Sequence, residues 1–228
     1  MIEKKKKFFG GFILLIGFVV ILVVIFSPVF KGQNGLEFLD DLYNSISKGS
    51  AYYIPKVKNE IDTFAGTSVN VTIAMADEGQ TQQTSVLLMK GDALVNISGT
   101  QLKIEGDLAK ILSNCLADAD NMYTNDGQTV AAKYGYDERQ VLFNWWQALK
   151  ALNKGLTKQK QFKAASAVDM VATKAVETSY NYYRIEPQKI SDRFGIIFFS
   201  LAFYVIYTLW YGFSIMFMFE GWGMKLEH

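Results

Sequence analysis

Any chemistry this chain performs has to do without histidine. Its single histidine is His228, at the end of Lys-Leu-Glu-His, which resembles a cloning scar leading into a purification tag. Leu226–His228 are therefore set aside. His-based triads, histidine haem ligation and His-bound zinc go with them, and there is no Cys-x-x-Cys-His. One cysteine, Cys115, excludes an intramolecular disulfide or a Cys-cluster metal site. Acid–base work would fall to carboxylates, lysine or tyrosine. Asp40–Asp41, Asp118–Asp120 and Asp137–Glu138 are close carboxylate pairs, each expected near a helix end or on a polar face. None has neighbours that predict burial and a raised pKa. No Gly-rich phosphate loop, nucleophile elbow or metal-ligand spacing is present. The expectation is a non-enzyme with no metal, cofactor or catalytic residue.

Two patterns do carry spacing. In the apolar stretch Ser200–Phe217, hydroxyls recur at Ser200, Tyr204, Tyr207, Tyr211 and Ser214. Steps of four and three are the period of a packed helix seam. In lipid, packing and interhelical hydrogen bonds supply the attraction between helices. An earlier apolar stretch has Gly10, Leu14, Gly17, Ile21 and Val24 at the same spacing, a smooth groove with few polar groups to meet tyrosines. The two stretches are not expected to satisfy each other, so the hydroxyl seam is read as facing another subunit or a second copy. The other pattern is a basic cluster, Lys150, Lys154, Lys158, Lys160 and Lys163. It is either a solvated helix tip or a docking patch for an acidic partner or anionic lipid.

These residues must be held by membrane segments. Phe8–Phe30 carries no charge and follows Met-Ile-Glu-Lys-Lys-Lys-Lys, and its length suffices to cross a hydrocarbon core. A cleaved signal peptide has the same outline, but no small-x-small site follows. The stretch is read as an uncleaved anchor. Phe194–Phe219 is the second span, long enough to cross with some tilt. Lys4–Lys7 put residues 1–7 in the cytoplasm. Two crossings return residues 220–228 to that side, with Trp222 and Lys225 as interface anchors and Glu220 snorkelling. Residues 31–193 are left outside a cell inner (plasma) membrane. A formal net charge of +1 gives no nucleic-acid signature.

The outer segment reads as α+β. Leu36, Leu39 and Ile46 keep helical spacing, and a second helix starts at Pro55. Val69, Val71 and Ile73 alternate as a strand, and residues 92–98 and 101–106 form a hairpin joined near Gly99 and Thr100. Residues 76–91 fit a helix ending at Gly91 or a loop and strand; the helix gives a β-α-β-β order. Leu108, Ile111, Leu112, Cys115, Leu116, Ala119 and Met122 form one apolar stripe, with Cys115 as a small buried hydrophobe. Residues 123–138 read as a turn-rich break. Asp137 caps a long helix carrying Val141, Trp145, Leu149, Leu152 and Leu156, and Gly155 divides it from the second leg of a helical hairpin. Of Trp145 and Trp146, one ring is expected in the core and one half exposed. Tyr180–Arg184 suit either a headgroup zone or a turn against the domain.

The functional expectation is an accessory or assembly subunit of a membrane complex, working through the second span and the outer domain. The alternative is an extracytoplasmic ligand-sensing or solute-binding protein that signals through a partner. The few residues after Phe219 leave no cytoplasmic signalling region and weigh against that alternative.

Overall fold

The computed structural model describes residues 2–30 and 32–224. It is an α+β chain with two apolar helices long enough to cross a membrane, α1 (Lys5–Phe26) and α10 (Ile190–Gly221). The chain divides into two compact units. One runs up to Gly49 and resumes at Pro187; the other is Ser50–Glu186.

In the first unit, α2 (Gly35–Ser50) follows α1. Asn34 opens α2 with a reciprocal cap: its Oδ1 accepts from the Leu36 and Glu37 amides, while Glu37 accepts from the Asn34 amide. α2 groups with the two apolar helices in this unit. The Gln188 amide donates to the Ser45 carbonyl at 3.0 Å, and Tyr43 reaches Ser200.

The second unit contains α3 (Ile54–Asp62), β1 (Ser68–Ala74), α4 (Glu78–Met89), β2 (Leu94–Ser98), β3 (Gln101–Asp107), α5 (Leu108–Tyr123), α6 (Gly127–Tyr134), α7 (Glu138–Lys158), α8 (Phe162–Val171) and α9 (Thr178–Tyr182). A π-helical segment, Ala172–Glu177, joins α8 to α9. The sheet is antiparallel, in the order β1-β3-β2. Val69, Val71, Ile73, Leu102 and Ile104 are buried on its inner face, as the alternation requires. Residues 76–91 resolve in favour of the helix: Asp77 caps α4 by accepting from the Gln80 amide.

Two expectations need correction. The turn-rich break holds a two-turn helix, α6. Its punctuation residues act as caps, with Asp126 accepting from the Thr129 amide and Gly135 left-handed at φ 80°. Gly155 does not divide the hairpin. α7 runs through it to Lys158, and the reversal comes at Gln159–Gln161, where Lys160 has φ 62°. A side chain at Gly155 would run into Val71, so glycine lets α7 approach β1. The legs of the hairpin are antiparallel, since contacts step down one leg as they climb the other. Asn153 donates to the Ala165 carbonyl, Lys150 to Asp169, and the Arg139 guanidinium lies over Tyr180.

Candidate functional site

Each predicted site residue has a definite place. On α1 and α10 the hydroxyl seam does not act as a unit. The Ser200 hydroxyl is 2.7 Å from the Tyr43 hydroxyl. Tyr207 stacks on Phe18 at 4.2 Å and donates to the Phe18 carbonyl at 3.2 Å. Ser214 donates to the Tyr211 carbonyl, one turn back along its own helix. The remaining two differ. Tyr204 is 68% exposed and Tyr211 47%, and neither phenol has a hydrogen-bond partner among the described residues. The two apolar helices thus do satisfy part of each other, contrary to expectation, because a main-chain carbonyl serves as the acceptor.

Small residues let them approach. Gly17 lies under the Trp210 ring, whose indole donates to the Leu14 carbonyl at 3.0 Å. Gly10 faces open space, and its neighbour Gly11 takes the packing position: a Cβ there would sit 2.6 Å from the Ser214 carbonyl oxygen. At the far end Glu220 pairs with Lys7, and with Lys4 at 3.6 Å. Lys225 lies outside the described residues.

The basic cluster surrounds the turn between α7 and α8. Lys154, Lys158, Lys160 and Lys163 are exposed. Lys150 is half-buried, 3.2 Å from Asp169 and beside the Trp146 ring. Trp145 is fully buried and Trp146 partly so.

The sequence reading missed a polar cluster in the core of the second unit. Asp118 is fully buried. Lys133 donates to its Oδ1 at 2.6 Å; Tyr134 and the Trp145 indole donate to Oδ2 at 2.5 and 2.8 Å. Lys133 also donates to Asn114 at 2.6 Å. Burial pushes the Tyr134 phenol up, and the Asp118 charge pushes it further. The Cys115 thiol is likewise raised by burial. Beside this, fully buried Asn144 accepts from Gln80 and Gln140 and donates to Gln83 and Tyr136. Every donor and acceptor of that amide is used. Asp118 leaves no face open to a substrate; it ties α5, α6 and α7 together.

The other carboxylates are committed locally. Asp120 accepts from Tyr52, whose phenol is pushed up to about 12, first by that hydrogen bond and then by burial. Asp40 accepts from Asn44 and Asp41 from Gln33. Asp137 caps α7. Glu138 accepts from Tyr183 and Arg184, which places the tyrosine-rich turn against the domain. Among the described residues no group of three or more His, Cys, Asp or Glu could hold a metal ion. No protein-family model matches the chain, and no curated protein or solved structure matches it.

Proposed function

We propose that this chain is a two-pass membrane protein with its α+β unit outside the cytoplasm, serving as a non-catalytic accessory or assembly subunit of a membrane complex. The observation that carries this reading is the Tyr204 phenol. Tyr204 lies 10 residues from Phe194 and 15 from Phe219, the ends of the uncharged stretch, roughly 15 and 22 Å at 1.5 Å per residue. A tyrosine near an interface would wet its hydroxyl there. From mid-helix the side chain cannot reach either interface, and an unpaired hydroxyl in hydrocarbon costs several kcal/mol. A partner helix supplies the acceptor. Thr208 and Tyr211 continue the same flank of α10, with steps of four and three, and both are exposed. Lysines at positions 4–7 favour a cytoplasmic N-terminus.

The test replaces Tyr204 and Tyr211 by Phe together, which keeps the rings and removes only the hydroxyls. Crosslinking in native membranes and native mass spectrometry of solubilised complexes should show assembly weakened about fivefold, or roughly 1 kcal/mol for two interhelical bonds. Tyr207→Phe serves as the contrast, because its hydroxyl is used inside the chain. A wild-type chain that is strictly monomeric in native membranes overturns the assembly reading and returns weight to ligand sensing.

A further inference from the structure

Where α1 ends and α10 begins, the first unit lines a half-open cavity of about 460 Å³, within the size range of small-molecule sites. One side is apolar: Phe30 stacks on Phe38 at 5.1 Å, with Leu42 and Ile196 beside them. The other side carries one charge of each sign, Asp41 and Arg193. Neither forms an ion pair with another described residue. Each is instead braced by a glutamine, Gln33 donating to Asp41 at 2.6 Å and Arg193 donating through Nε to Gln188 at 2.7 Å. The glutamines are fixed through their own main chains. Gln33 exchanges two 3.0 Å hydrogen bonds with Phe30, and Gln188 donates to the Ser45 carbonyl.

A cavity with an apolar wall, a fixed carboxylate and a fixed guanidinium is matched by an amphiphile whose polar end is a zwitterion. The guanidinium presents its remaining N–H groups as donors suited to a phosphodiester. The carboxylate accepts, so it favours a cation that still has N–H to give over a quaternary one. We infer that this cavity binds the headgroup of an aminophospholipid, its phosphate on Arg193 and its primary ammonium on Asp41. The lipid source rests on the two-span reading above, which puts the ends of α1 and α10 at headgroup level.

The experiment uses the full chain, purified in detergent, with native mass spectrometry of lipid retention. The probes are phosphatidylethanolamine, phosphatidylcholine and phosphatidylglycerol of one acyl composition. Phosphatidylethanolamine should be retained about tenfold over the other two. Asp41→Asn should erase the preference over phosphatidylcholine, and Arg193→Gln should lower retention of all three about tenfold. Val29→Trp fills the cavity from an exposed wall position; it should reduce retention with both charges intact, and serves where a charge variant fails to fold. Equal retention of the three lipids, or wild-type retention in the Val29 variant, overturns the site. Displacement of the lipid by soluble phosphoethanolamine at equal concentration also overturns it, in favour of a free zwitterionic ligand. Alkaline carbonate extraction reads the membrane assignment separately: release from the bilayer removes both readings, whereas a retained chain without lipid preference removes this one alone.

Discussion

Helices α7 and α10 are both long and rich in aromatic residues, yet they meet the rest of the chain in opposite ways. α7 buries Val141, Leu142, Asn144, Trp145, Ala148, Leu149, Leu152 and Leu156 inside its own unit. α10, longer by half, buries only Ser214 and Gly221. The polar groups follow the same division. Asn144 on α7 has four partners, and the Trp145 indole has Asp118. On α10, Tyr204 has none among the described residues. The Trp146 indole is the exception on α7, buried without a hydrogen-bond partner among the described residues. An apolar helix that buries so little of itself in its own unit is suited to an apolar surrounding.

The largest effect expected in the closed unit comes from Asp118. Asp118→Ala leaves the Trp145 indole without its acceptor and the half-buried Lys133 ammonium without its counter-charge, with only the Asn114 amide oxygen to donate to. Losing one member of a buried ion pair costs about 3–5 kcal/mol, measurable as a shift in the urea midpoint. Adding Lys133→Met should recover part of that loss, since the stranded charge goes too. A single variant within 1 kcal/mol of wild type would remove the contrast between the units.

Cys115 tests the same core at lower cost. Cys115→Ser should cost about 1–3 kcal/mol through a buried hydroxyl without a designed partner, and the native thiol should resist alkylation. Rapid labelling of folded protein would contradict its complete burial.

The α5 stripe was legible because its seven apolar positions repeat at helical spacing, and all seven are buried. Asp118 was not legible, although it lies three residues after Cys115 and four before Met122 on the same stripe. A carboxylate is normally a surface residue, and the partners that make this one affordable come from 15 and 27 residues away. The buried Trp145 was the available signal, since a core indole needs an acceptor. Helix α6 was lost because Asp126 and Gly135, read as turn residues, are also cap residues. On α10 the period showed which hydroxyls share a flank but not what lies opposite. Tyr207 is met by a main-chain carbonyl, and a carbonyl leaves no mark on sequence.

Gly155 sharpens the comparison on the packing side. Gly155→Ala gains up to about 1 kcal/mol of helix propensity but forces the new methyl into Val71. Overpacking of this kind costs about 1–3 kcal/mol, and the stiff β-branched Val71 has little room to turn. The net expectation is a loss of about 1 kcal/mol, reversed by pairing the change with Val71→Ala. A stabilised single variant would show that α7 and β1 are not in close contact.

The smallest effect is electrostatic and lies at the start of α7. Tyr183 donates to Glu138 at 2.7 Å, and the exposed Arg184 guanidinium adds a weaker contact at 3.3 Å. That hydrogen bond is the main reason the Glu138 carboxyl lies below its ordinary value of 4.5. A carboxyl whose pKa is lower folded than unfolded stabilises the fold in full above its ordinary value. The contribution is lost as pH falls through the lower folded value. Wild type should therefore lose stability as pH falls below the ordinary value of 4.5 more steeply than Glu138→Gln, whose amide does not titrate. The difference should be smaller than any effect above, because a protonated Glu138 still accepts from the Tyr183 phenol and the Arg184 contact is exposed to solvent. Urea midpoints of the two proteins measured above and below that value decide it. Parallel curves would mean that Glu138 is not held by Tyr183, leaving the turn after α9 tied to the domain through Asn125.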